Sequence, residues 1–229
     1  MAIVCIIVMQ FDAQQILGIN RWIKSMKFFL SIGIMAYTMG WILYYLDRKK
    51  SVRIISRLIV VSMFMEGFIV ALQSARGTRS HFNVQDPVNS ALFSIMGGFI
   101  ILFTIAAVYA LVLFVRQKHF FIPPSYLLGI RLGLLFFITF SLEAGFMLSR
   151  LSHTVGAADG GPGLPIVNWS RQFGDLRMAH FFGMHALQLI PLAGYYVFKK
   201  RSSLFIFGMI YFLLVLGTLI IALKGMPML

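Results

Sequence analysis

The chain has 229 residues, 59% apolar and 12% charged, with a mean hydropathy of +0.87, which excludes a soluble core and implies one all-α domain, a polytopic bundle of transmembrane helices. A net charge of +13 would suggest nucleic acid in a soluble protein, but here the basic residues concentrate between apolar runs, where membrane orientation and anionic lipid account for them without nucleic acid. The single cysteine, Cys5, excludes an intrachain disulfide and any multi-cysteine zinc or iron–sulfur centre.

The first apolar run, Ala2 to Met9, is interrupted by Gln10, Asp12, Gln14 and Gln15. It falls short of the ~20 residues a spanning helix needs, so a short or incomplete N-terminal helix is expected. In GINRWIKSMKF, Arg21, Trp22, Lys24 and Lys27 read as an interfacial belt, and Tyr44 and Tyr45 mark the far end of the span that follows. The densest basic cluster, Arg48, Lys49, Lys50, Arg53 and Arg57, comes next and is assigned to the cytoplasm. Six full spans are then expected over about 25–46, 54–76, 90–115, 126–149, 174–198 and 203–223. Arg131 should snorkel to the inner interface, and Pro191 should kink or loosen its helix. The outer loops are 77–89 and 150–173; the Gly and Pro content of the second argues for ordered turns.

The centre of interest is Gly174 to Gln188, GDLRMAHFFGMHALQ, a helix-start signal followed by two histidines in an apolar segment. At about 100° per residue, Arg177, His180, Met184, His185 and Gln188 fall within an arc of roughly 140°. Asp175 belongs in the first turn, where the helix dipole favours an anion. The spacing of five between His180 and His185 is unlike a zinc-type pair and puts the two at different levels of a site.

Two other helices carry matching polar stripes, one with Ser62, Glu66 and Gln73, the other with Thr139, Glu143 and Arg150. At ~1.5 Å rise per residue, Glu66 and His185 lie near mid-bilayer, with Glu143 and His180 one to two turns nearer the outer surface. Arg76, Arg150 and Arg177 at the mouth would hold a phosphate or carboxylate headgroup, or else pair with Asp86, Asp159 or Asp175. Asn83, Asn168, Asp175 and Gln188 are supporting polar residues with Gln73; Asn168-Trp-Ser matches a glycosylation sequon, a weak signal. Ser80 and Ser152 precede His81 and His153, but adjacent residues point differently, which disfavours a Ser–His nucleophile. Glu66…Arg76…Ser80-His81 echoes Glu143…Arg150…Ser152-His153, a faint sign of duplication.

The strings GINRWIKSMKF, QSARGTRSHFN, DGGPGLPIVNWS and GDLRMAHFFGMHALQ resemble a family of uncharacterised bacterial multi-pass integral membrane proteins. The resemblance implies a bacterial membrane location and brings no catalytic residue with it. The residues themselves suggest a transition metal or haem held by some of His81, His153, His180 and His185, with Glu66, Glu143 and His185 catalytic and a lipidic or quinone-like substrate. Two alternatives stand beside this: a proton-coupled transporter using the buried carboxylates, and a non-catalytic assembly protein in which the polar groups only fix helix packing. The expected location is the bacterial cytoplasmic membrane, with the polar site facing the extracytoplasmic side.

Overall fold

The computed structural model describes residues 1–228. Helices α1 (Ala2–Met9), α2 (Arg21–Leu43), α3 (Lys49–Ala75), α4 (Pro87–Arg116), α5 (Pro124–Leu142), α6 (Ala144–Arg150), α7 (Leu176–Tyr196) and α8 (Arg201–Leu223) account for most of it. Two short antiparallel ladders complete it: β1 (Gln15–Ile16) with β2 (Ile19–Asn20), and β3 (Thr154–Val155) with β4 (Gly174–Asp175).

Local chemistry sets three of the helix starts. The Asn20 side chain accepts the Trp22 N–H, Asp86 accepts the Asn89 N–H at 2.9 Å ahead of Pro87, and Asp175 accepts the Arg177 N–H at 3.0 Å. The polar residues that interrupt the first apolar run form a hairpin, turned at Leu17 and Gly18, both at positive φ. Its base is fixed by Asp12, whose carboxylate accepts from Arg21 Nε at 2.6 Å and from the Trp22 indole at 2.7 Å.

Five stretches are long and apolar enough to cross a membrane: α2, α3, α4, the run Pro124–Arg150, and α8. The sixth expected span, α7, does not qualify by composition, because Arg177, His180, His185 and Gln188 make this 21-residue helix too polar. The predicted span over 126–149 is interrupted for one residue at Glu143, which separates α5 from α6.

Helix α3 packs between α2 and α4, α4 joins α5, and α7 lies against α5 and α8. One core, including Met39, Ile42, Ile55, Phe103, Phe114, Ile130 and Phe137, fills the α2–α5 half. A second, including Phe136, Phe140, Leu176, Ile190 and Leu204, joins α5, α7 and α8. The α5–α7 contact is the closest in the molecule. A Cβ on Gly129 would meet the Pro191 backbone at 2.8 Å, and one on Gly183 would overlap the Phe140 ring. Pro191 thus sits inside a continuous helix, against a glycine face that its own ring helps to fill. Arg131 does not snorkel; its guanidinium donates twice to the Phe114 carbonyl, at 2.8 and 3.1 Å, capping the last turn of α4.

Candidate functional site

The hairpin, the 77–89 turn and the 150–173 loop all lie at one end of the bundle, opposite the basic turns. Asn168 Nδ2 donates to the Leu17 carbonyl at 3.1 Å and Arg21 Nη1 to the Ala75 carbonyl at 3.1 Å, which ties the three together as a roof. Beneath it, residues from α2, α3, α7 and both loops converge.

Lys24 and Lys27 stand one turn apart on α2, so they share a face. Lys24 Nζ lies 3.1 Å from His81 Nδ1, and Ser80 Oγ lies 3.0 Å from the same nitrogen. Adjacent Ser and His side chains do meet here, against expectation, because the turn after α3 folds Ser80 back; Phe82, the next residue after His81, has positive φ. An ammonium can only donate, so Nδ1 accepts and the proton of His81 sits on Nε2. Burial, followed by the charge of Lys24, holds the His81 imidazole well below its ordinary pKa and keeps it neutral. Lys27 Nζ donates to the carbonyls of Ile166 at 2.9 Å and Val167 at 3.2 Å.

Among the described residues the ion pairs are Arg21–Asp12, His153–Asp159, Arg177–Asp175 and His180–Glu143. Neither Lys24 nor Lys27 touches a carboxylate. Arg177 spends Nε and Nη2 on Asp175 and the Asn168 carbonyl and leaves Nη1 without a hydrogen bond among the described residues. Glu66 is 2% exposed and neither of its carboxyl oxygens has a partner.

The histidines divide by level. His180 Nδ1 is 2.8 Å from the Phe140 carbonyl and 3.2 Å from Glu143, whose other oxygen is buried and unbonded. The carbonyl can only accept, so Nδ1 carries the proton. His185 Nδ1 lies 3.2 Å from Gln188 Oε1, and Gln188 Nε2 donates to Thr38 Oγ1 on α2 at 3.1 Å. Glu66 and His185, expected to meet, share no hydrogen bond.

In the roof, His153 Nδ1 is 2.7 Å from Asp159 Oδ2. Asp159 also accepts from the backbone amides of His153 and Thr154 and from Ser152 Oγ, at 2.9 to 3.1 Å. Burial alone would raise the Asp159 carboxyl, but the hydrogen bond and charge of His153 and the two amides outweigh it and hold the group far below the carboxylate range. Burial holds the His153 imidazole below its ordinary value despite its Asp159 bond, and the charges of Lys24 and Arg177 add to the effect.

The arginine mouth does not assemble as one ring. Arg76 bonds Gln73 at 2.7 Å and Asn89 at 3.1 Å, Arg150 bonds its own Phe146 carbonyl at 3.3 Å, and only Arg177 turns to the site. Of the three expected aspartate partners, Asp175 alone pairs with one of these arginines; Asp86 binds Asn89 and Asp159 binds His153. Gln73 Nε2, at 3.2 Å, and Asn83 Nδ2, at 3.1 Å, both donate to the Arg79 carbonyl and shape the 77–89 turn. Asn168, at positive φ, joins roof and site through its side chain and its carbonyl.

No three His, Cys, Asp or Glu side chains among the described residues gather as metal ligands, so the metal expectation gains no support from geometry. Lys24 on His81 and Asp159 on His153 already occupy one nitrogen of each ring. Sequence reasoning placed Lys24 and Lys27 in an interfacial belt and so missed them. Their spacing of three, entering an apolar run, was the available signal. The His153–Asp159 pair left none, since its partners are joined by a loop of no fixed periodicity. Compared with family models, characterised proteins and solved structures, the chain gives no match.

Proposed function

We propose that the protein spans the bacterial cytoplasmic membrane six times, with α7 as the sixth span, and binds the anionic headgroup of a lipid in a crevice facing the extracytoplasmic side. The observation that carries this reading is the pair Lys24 and Lys27, enclosed under the roof with no carboxylate in contact. Burying an ammonium without a carboxylate in contact costs on the order of several kcal/mol; Lys27 and Arg177 add like charge beside Lys24, which the more distant Glu66 and Asp159 offset in part. An incoming phosphate would offset that cost and meet Arg177 Nη1 as well. A dication at the same place would meet repulsion.

Access from the lipid fits the packing. Helices α2 and α7 barely touch, the Thr38–Gln188 hydrogen bond being their link at mid-length, so a seam runs between them below the roof. Lys24 keeps part of its surface accessible although protein surrounds it. Orientation follows from the basic turns at the other end, which favour the cytoplasm.

The test is lipid phosphorus and transition metal per chain in detergent-purified protein, wild type beside Lys24→Met/Lys27→Met. We expect about one retained phospholipid per wild-type chain and at least a tenfold loss in the variant, the size expected from losing charge-assisted contacts. Equal lipid in both, or a stoichiometric metal or Soret band, would sink the reading. The two unbonded oxygens of Glu66 favour a second reading, proton-coupled transport; there Glu66→Gln abolishes proton flux in proteoliposomes and leaves bound lipid unchanged.

A further inference from the structure

We propose that His153, oriented by Asp159, is a general base that hydrolyses an acyl ester of the lipid whose headgroup the lysines hold. The inference rests on the headgroup reading and adds a reaction to it.

The geometry is that of an oriented imidazole. Asp159 fixes Nδ1 as the protonated nitrogen at 2.7 Å and is itself held by the two amides and Ser152 Oγ, so it cannot swing away. The basic lone pair is therefore on Nε2, which has no hydrogen-bond partner among the described residues. The pair is largely shielded, with side chains 15% and 9% exposed, in the roof over the lysines.

His153 also stands beside the proposed headgroup. Its carbonyl accepts the Leu176 N–H at 3.0 Å, next to Arg177, and its ring packs edge-on against Phe82 at 4.8 Å, the residue after His81. The charged groups that act on it are Asp159, Lys24 and Arg177, with His81 beyond Phe82. Burial and the two cations keep it neutral at neutral pH, as a base must be.

In the step, Nε2 takes a proton from water while the water oxygen bonds to the acyl carbon. The C=O π pair moves onto the carbonyl oxygen, where the positive charge of Lys24, which already acts on His153, stabilises it. Collapse re-forms C=O and breaks the bond to the alkoxide, which takes the proton from Nε2. Water and ester become acid and alcohol, and no oxidant or reductant is needed. One imidazole can serve as base and then acid at a carbonyl carbon, whereas in-line displacement at phosphorus puts the entering and leaving oxygens on opposite sides. His153 can fill both roles in turn, which suits the acyl ester.

The experiment uses the purified full chain with mixed micelles of diacyl phosphatidylglycerol in ¹⁸O-water, following free fatty acid, its ¹⁸O content and retained lipid phosphorus. We expect fatty acid carrying one solvent oxygen, and a rate that rises with pH to a plateau by neutrality. His153→Gln should lower the rate about 100-fold or more, and Asp159→Asn about tenfold or more, with lipid retention unchanged. An ether-linked analogue should be retained but not cleaved. Retained lipid with no fatty acid, or release unaffected by His153→Gln, overturns the base assignment and leaves the headgroup reading standing. Failure to retain lipid removes both. Where a variant does not purify, the wild type decides, since absent product or product without solvent oxygen overturns the proposal.

Discussion

Helix α7 has two faces that solve opposite problems. Toward α5 it is dry and closely packed, with Gly183 under the Phe140 ring and Pro191 on Gly129. Toward α2 it presents Gln188, bonded to Thr38, with Arg177 and His185 also only partly buried, while His180 near its outer end turns back to the Phe140 carbonyl and Glu143. Small residues let two helices approach until dispersion alone holds them in a solvent without hydrophobic drive. Polar residues held apart leave room for something else. The α5 side is where the helix is anchored, and the α2 side is where it is available.

The largest effect should come from filling the anchored face. Gly183→Leu would drive a side chain into Phe140, and we expect a loss of about 3 kcal/mol or more, read as failure to purify as a monodisperse species. A normal yield would mean that the dry face is looser than its geometry. On the open face, Lys24→Met should do the reverse to stability. It removes an ammonium without a counter-ion, so lipid retention falls while the melting temperature holds or rises. A lowered melting temperature would recast Lys24 as a structural group.

The roof over the open face should respond to pH, and the sign follows from the shifted groups. Asp159 is depressed, so its stabilisation is present above the ordinary carboxylate pKa of about 3.9 and is lost as pH falls below it. His153 and His81 are also depressed, so unfolded chains take up their protons first, near about pH 6.5, and stability falls as pH drops through that value. Hydrogen exchange over 150–173 should therefore be slowest near neutrality and quicken from about pH 7 toward pH 4, after correction for intrinsic rates. Uniform protection across that window would detach the roof from His153 and Asp159. The smallest effect belongs to the bridge itself. Gln188→Leu should cost about 1 kcal/mol or less, typical for an interhelical hydrogen bond in a membrane, in a thermal melt of the purified protein.

Helix positions were legible because they depend on near neighbours. Asp175, expected in the first turn, stands just ahead of it as the cap, and a spacing of five puts His180 and His185 on different levels whatever surrounds them. The convergence of Glu143 and His180 followed from counting residues from the helix ends, since rise per residue is nearly constant. The same count brought Glu66 toward His185, yet no hydrogen bond joins them. Depth says how far down a group lies and nothing about which neighbour its helix turns it toward.

By itself, then, the sequence determined an all-helical membrane chain, its apolar stretches, and the end at which the polar groups collect, because hydropathy and helical period are properties of consecutive residues. Tertiary structure alone decided that Lys24 meets His81, that Arg131 caps α4 and that Asp159 orients His153. The first and last of those pairings lie in segments that turn through positive φ, at Phe82 and at Gly156 and Gly160, where a change of direction at one residue moves everything after it. Tertiary structure also separated the closed face of α7 from its open one, since a glycine becomes a contact only when a second helix arrives to use the space.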